Sequence, residues 1–399
     1  MLYGTIKSDL RINFKGGLLK LKILLCPDSF KGSLSSIEVC NAIKKGFQRC
    51  TNPDIEIVEK PVADGGEGTI EALYYGLGGK LIEIETYGPL WEKVNAQYLI
   101  LNDQKTAIIE MAQAAGLTLI PSKNRNPRLT TTYGVGELLI DAVKKGCKKV
   151  ILAIGGSATN DGGMGALTAL GVKFYDENQN LLSGTGENLP KIRLIDTENI
   201  SKEMGEVEIL IASDVRNPLF GPEGAAMVYG PQKGAEEKDV QFLDKGLIHY
   251  SQMIEQKTGR KVDNIPGSGA AGGIGAGFCA FFNAQITSGI QLIMELLHFD
   301  EEIRSSHLVI SGEGKIDRQT LYGKVISGIY ELCRKYHKPL ILLAGKIEEE
   351  AYSIYGDKVL ALFSIVNGPI NENEAFSRAN YLLENVSYNV AKLVFQDFI

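Results

Sequence analysis

The sequence predicts an α/β protein: a parallel, doubly wound five-stranded sheet whose chain is interrupted by a second, mixed α/β domain. Three observations carry this. At 399 residues the chain exceeds the size at which a single hydrophobic core keeps growing. Both ends repeat a strand, loop, helix grammar, which is the signature of parallel strands with helical crossovers. Between about residues 81 and 285 that grammar gives way to strands of mixed spacing.

The first unit is LKILLCPDSFKGSLSSIEVCNAIKKGF. Leu21 to Leu25 is a short apolar run, and Ile37, Cys40, Ile43 and Phe47 then recur at helical spacing. Ser35 and Glu38 are set as a capping box at the start of that helix. IEIVEK supplies a second strand, and the loop PVADGGEGT leads to the helical stretch TIEALYYGL. At the far end HLVISGEGKIDRQTLYGKVISGIYELCRKYH gives strand, loop and helix. PLILLAGK and VLALFS give two more strands before a long amphipathic C-terminal helix. The middle region holds the strand candidates LIEIETYG, AQYLIL, TAIIEMA, KVILAI, VKFYD and VEILIASD, with YGVGELLIDAVKKG as a helix. The expected division is residues 21–80 and 286–399 for the outer domain, 81–285 for the inserted one, and 1–20 as an extension.

Composition excludes several classes. Hydrophobic residues at 44% and charged residues at 23% are those of an ordinary globular protein. A net charge of −6 argues against a nucleic-acid partner, whose backbone calls for a basic face. The six cysteines show neither a C-x-x-C pair nor zinc-like spacing, which fits reduced thiols and a cytoplasmic location. GAAGGIGAGFCAFF, 269–282, is too short and Gly-rich to span a bilayer, and the first twenty residues lack the apolar core of a signal peptide. The expectation is therefore no membrane and no nucleic acid.

Chemistry in open α/β sheets gathers at the carboxyl ends of strands. There the outer domain offers PDSFKGS, ADGGEGT and SGEGKID, with Asp28, Ser29, Lys31, Asp64, Glu67, Glu313, Lys315 and Asp317. The inner domain offers AIGGSATNDGGMG, where Gly155, Gly156, Ser157 and Thr159 follow a strand and Asp161 precedes a helix. Such a loop aims N–H groups at one point, which suits a phosphate or a carboxylate. For each loop acid, helix capping or an Asx turn is the alternative role. Gly267, Gly269 and Gly272 have G-x-G-x-x-G spacing, but RKVDNIP before them is a poor strand, so a dinucleotide fold gains little. A Gly-rich helix start that packs closely or approaches a nucleotide accounts for them better. No G-x-x-x-x-G-K-[ST] is present, and the four scattered histidines form neither a zinc motif nor a triad signature. Glu110 in EMAQAAGL, and Asp214, Arg216, Asn217 and Lys233 in 213–235, complete the inventory of loop residues.

DSFKGSL, ADGGEGT, EMAQAAGL, GGSATNDGGMGAL, DVRNPLFGPEGA, GPQKGA, PGSGAAGGIGAG and SGEGKIDRQTLYGK resemble the successive motifs of the type-1 glycerate kinases of bacteria. The resemblance runs from about Leu21 to near the C-terminus. It implies ATP- and Mg²⁺-dependent phosphorylation of D-glycerate to 2-phosphoglycerate, a flavodoxin-like outer domain, and a cleft between the two domains. Chemistry then suggests roles. Gly155, Gly156, Ser157, Thr159, Gly269 and Gly272 would bind the cofactor, and Asp161 would orient or deprotonate the attacking hydroxyl. Asp64 or Asp317 would hold Mg²⁺, and Lys31 or Lys315 would neutralise phosphate or substrate carboxylate. A nucleotide-dependent oxidoreductase and a non-catalytic two-lobed sugar-acid sensor are the competing readings.

Overall fold

The computed structural model describes residues 20–50, 55–317, 320, 325–355 and 359–395, so residues 1–19 of the expected extension lie outside the described residues. Numbered along the chain, the strands are β1 (Leu21–Leu25), β2 (Ile55–Glu59), β3 (Lys80–Tyr87), β4 (Lys93–Ile100), β5 (Thr106–Glu110), β6 (Lys149–Ala153), β7 (Lys173–Tyr175), β8 (Leu194–Asp196), β9 (Glu208–Ala212), β10 (Gln285–Thr287), β11 (Leu308–Ile316), β12 (Leu340–Ile347) and β13 (Ala361–Ser364).

β1, buried along most of its length, lies inside a five-stranded sheet of order β13-β12-β11-β1-β2. Every pairing in it is parallel. Read in chain order this is 2-1-3-4-5, the flavodoxin-like arrangement, with its switch point between β1 and β11. The five apolar runs read from the two ends of the chain are these five strands. The helix Ser36–Gln48 starts as its sequence predicts: Glu38 N–H donates to Ser35 Oγ at 3.3 Å, and Ser35 N–H to Glu38 Oε2 at 2.8 Å. Its buried face meets the C-terminal helix Ala379–Phe395, where Phe47 and Phe395 pack edge to face with centroids 5.9 Å apart.

The second sheet has the order β10-β9-β6-β5-β4-β3. β3, β4 and β5 form an antiparallel meander, while β5, β6, β9 and β10 are parallel. Their carboxyl ends therefore share one edge. VKFYD, read as a strand, forms β7, which pairs with β8 in a separate two-stranded ribbon. The two sheets share apolar packing: Leu24, Val62 and Leu73 belong to the same buried cluster as Leu99, Ile108 and Ile151. Among the described residues no helix is long and apolar enough to cross a membrane.

One boundary differs from the sequence expectation. SGEGKI is not a loop after a strand, because β11 continues through Lys315 and Ile316, paired with Lys346 and Ile347 of β12. The cross-strand ladder outweighs the weak strand preference of Gly312 and Gly314.

The capping box is a local interaction at an exposed end. Ser35→Ala is expected to lower stability by about 1 kcal/mol in denaturant unfolding, with turnover unchanged; a neutral effect would show the cap to be idle.

Candidate active site

The ADGGEGT loop after β2 and the GGSATND loop after β6 meet backbone to backbone. A Cβ on Gly155 would stand 2.5 Å from the Gly66 Cα, and Gly155 N–H points to Gly65 O at 3.4 Å. Gly289, first residue of the helix Gly289–Leu296, closes the same junction, since its Cβ would lie 2.9 Å from the Asp64 carbonyl. The glycines at this point make room for one another's main chain. Glu110 fastens the junction from below: its buried carboxylate accepts from Ile70 N–H at 2.7 Å, capping the helix Thr69–Leu77 from a different sheet. Burial pushes the Glu110 carboxyl up, against the pull of that hydrogen bond.

Asp64 therefore stands where three cavities meet. One of ≈750 Å³ lies over the carboxyl ends of β1, β11, β12 and β13; one of ≈880 Å³ runs between the loop after β1 and β4; a third, of ≈190 Å³, lies under the Gly155–Ser157 loop. Asp28, Ser29, Lys31, Glu313, Lys315 and Asp317 line the first and Glu67 the second, so the acids and lysines read from the three outer loops do share one edge. Lys31 Nζ sits 3.3 Å from Asp64 Oδ2, and that carboxylate raises the lysine's affinity for its proton. Lys315 reaches outward, 3.3 Å from Asp317 and 3.1 Å from Glu348. Glu313 is buried and accepts from Thr320 Oγ1 at 2.6 Å.

Asp28 is the most perturbed acid of this edge. Burial first, then the charge of Asp64, push it up to about 7 against the opposing pull of Lys31. The folded state then keeps a proton that the unfolded chain loses, so stability falls as pH rises from 3.8 towards about 7. The slope is at most about 1.4 kcal/mol per pH unit. Asp28→Asn is expected to raise the melting temperature relative to the parent more at pH 8 than at pH 5, in metal-free buffer. Equal shifts at both values would refute the buried, uncompensated carboxylate.

Asp161 is placed differently from its expected role. Its side chain is fully enclosed, and its two oxygens accept from Thr132 N–H at 2.9 Å, Thr132 Oγ1 at 2.7 Å, Gly163 N–H at 3.1 Å and Gly165 N–H at 3.1 Å. It lines none of the three cavities. Against the expectation that Asp161 orients or deprotonates the attacking hydroxyl, this geometry favours a structural role: its carboxylate occupies the first amides of the six-residue helix Met164–Ala169 and ties them to Thr132. Removing those four acceptor contacts strands buried donors. Asp161→Ala is accordingly expected to destabilise the fold by about 3 kcal/mol or more, read by denaturant unfolding, and a stable but inactive variant would restore the catalytic role.

The ≈190 Å³ cavity gathers Asp64, Gly155, Gly156, Ser157, Asp214 and Lys233. Thr159 lies behind its wall, fully buried. Asp214 follows β9; its Oδ1 accepts from Ser288 Oγ at 2.6 Å and its Oδ2 from Ile290 N–H at 3.1 Å. Burial raises it to about 6 in spite of these bonds, with Asp64 adding to the rise. Lys233 is only 2% exposed and donates to Ser157 Oγ at 2.8 Å and to the Thr159 carbonyl at 2.7 Å. Sequence placed Asp214 and Lys233 in the inventory without a role, and no local spacing marks either. Gly269 and Gly272 pack against main chain instead of lining the cavity: their Cβ atoms would meet Pro218 O at 2.0 Å and Thr159 O at 2.1 Å. Expected as cofactor-binding residues, they serve close packing of main chain at this point. Residues 260–266 form no strand ahead of Gly267, so the dinucleotide arrangement is absent there.

A flavodoxin-like sheet joined to a second parallel edge, with acids and buried lysine converging on Gly-rich loops, defines an α/β protein of the phosphoryl-transfer kind. The profile of the glycerate kinase family matches residues 23–395. The chain is 43% identical over 371 residues to the glycerate 2-kinase of Escherichia coli (strain K12), covering 93% of this chain and 97% of that one. It is 41% identical over 370 residues to a glycerate kinase of Halalkalibacterium halodurans, covering 92% and 97%. A crystal structure from Salmonella typhimurium LT2 superposes with a TM-score of 0.82 at 39% identity, covering 94% of this chain and 98% of its own. The chain belongs to the glycerate kinase family.

Proposed function

We propose that this protein transfers the γ-phosphoryl group of ATP to the 2-hydroxyl of D-glycerate, giving 2-phosphoglycerate and ADP, in the cleft between an outer domain (residues 21–80 and 286–399) and an inserted one (81–285). The observation that carries the reading is the position of Asp64, shared by a nucleotide-sized cavity and a small one. The larger cavity has an apolar wall of Phe30, Ile347, Ile365, Val366 and Phe376, suited to a purine, and Lys31 beside its acids, suited to phosphate. The ≈190 Å³ cavity suits a three-carbon acid.

The donor set fits Mg²⁺. Burial first and then the charge of Asp64 raise the Asp28 carboxyl, Asp317 stands on the same cavity wall, and no group of three or more potential ligands gathers among the described residues, so the protein offers one or two carboxylates beside the nucleotide phosphates. Asp64 with Asp28 or Asp317 would hold the ion, which when bound with the nucleotide spreads the charge of the transferring group. Lys31 steadies the phosphates on the nucleotide side. Asp214, half enclosed at the wall of the small cavity, receives the proton of the attacking hydroxyl. The Gly66 and Gly155 main chains bring the two substrates together and leave no room for water between the loops.

The test is to mix the protein with ATP, MgCl₂ and D-glycerate, follow ADP release, and identify the product by phosphorus NMR. The expected product is 2-phosphoglycerate; no ADP release with glycerate or any small hydroxy acid would defeat the reading and favour a non-catalytic sensor. Because the base must be ionised, kcat is expected to fall as pH drops through about 6. Asp214→Asn should lose about 10² to 10⁴-fold in kcat and abolish that acidic limb; an unchanged profile would assign the proton to another group.

A further inference from the structure

The Gly155–Ser157 loop is the one expected from sequence to hold a nucleotide phosphate, yet its floor is the enclosed ammonium of Lys233. We propose that Lys233, with the N–H groups of Gly156 and Ser157, binds the carboxylate of the small hydroxy acid and so selects an acid over a neutral polyol. The proposal rests on the kinase reading above and adds to it the group by which the acceptor is recognised.

Several observations converge. Lys233 Nζ has two protein acceptors, Ser157 Oγ and the Thr159 carbonyl, among the described residues, and an ammonium has three N–H groups. No carboxylate pairs with it at ion-pair distance among those residues, and Asp161, the acid whose charge reaches it, is already engaged by Thr132, Gly163 and Gly165. A buried cation of this kind is costly without an anion beside it. Its burial pushes the lysine down to about 7, and a bound carboxylate would restore its charge.

The neighbouring main chain is also open to an anion. Gly156 and Ser157 N–H donate to no protein acceptor among the described residues, whereas Ala158 N–H is engaged by the Ala115 carbonyl and the Gly156 carbonyl by Leu117. At ≈190 Å³, against ≈750 Å³ for the cavity beyond Asp64, this floor suits a three-carbon acid better than a whole nucleotide. The cavity is also polarised. Its lining carries one lysine, Lys233, and two acids, Asp64 and Asp214. A hydroxy acid fits that polarity in one direction only, with its carboxylate at Lys233 and its hydroxyl at Asp214.

The experiment compares the wild type with Lys233→Met in steady-state kinetics with D-glycerate and with its uncharged amide, together with the KM for ATP. The expected result is a rise of about 10² to 10³-fold in the KM for D-glycerate, an ATP KM within about threefold of the parent, and collapse of the preference for the acid over the amide. A purely structural role would not move that preference. A variant that raises the ATP KM and leaves the glycerate KM unchanged overturns the proposal in favour of phosphate binding. Should Lys233→Met fail to fold, as judged by circular dichroism, the wild type still decides: equal kcat/KM for acid and amide overturns it, and a preference of about 10²-fold or more supports it. A wild type inactive on D-glycerate defeats the kinase reading and this proposal together, whereas an active one with an unaltered variant defeats this proposal alone.

Discussion

The contact on which the site depends is main chain against main chain: Gly66 lies on Gly155 with no side chain between them. A single methyl at Gly155 would sit inside the van der Waals radius of its neighbour and force the two loops apart. The distance between the two sheets at their ligand edge is therefore set by hydrogen-sized residues. Asp64 is carried to the meeting point of the cavities by this contact, and the start of the Gly289–Leu296 helix completes it. The shared cluster of Leu24, Leu99 and Ile151 holds the arrangement from beneath.

Around that contact the charges divide into two kinds. Glu110 and Asp161 are buried acids whose oxygens receive backbone N–H groups from elements distant in sequence, Ile70 and Thr132, and Asp161 adds the local amides of Gly163 and Gly165. Asp28 and Lys233 are buried and Asp214 is half enclosed, but each keeps capacity that the protein does not use, and burial moves each from its ordinary protonation range. Groups of the second kind are costly to the empty fold and are retained where a ligand supplies the missing partner. Asp214 and Lys233 give the small cavity one acidic and one basic side chain, while Asp28 lines the two larger cavities.

Much of this was legible along the chain. Five apolar runs at the two ends became the five strands of one parallel sheet, and the Ser35 and Glu38 pair became a capping box, because both signals are local. The edge that gathers Asp28, Lys31, Asp64 and Asp317 was also foreseen, since parallel strands must deliver their following loops to one side. Where the reading went astray, a long-range contact decided. β11 runs on through Lys315 because β12 lies beside it. Asp161 looked like a cleft acid from its Gly-rich setting, until Thr132, 29 residues earlier, folded over it.

The sequence by itself determined the alternation of strands and helices, the interruption of one sheet by another, and the set of Gly-rich loops that carry acids and lysines. These follow from periodicity and from the chemistry of single residue types, which need no knowledge of the fold. Only the tertiary structure decided which acids face cavities and which are spent on backbone amides. It alone buried Lys233 beneath Ser157, a residue 76 positions away. Burial and hydrogen-bond supply are properties of the assembled packing, and they set whether a charged side chain holds the fold or waits for a ligand.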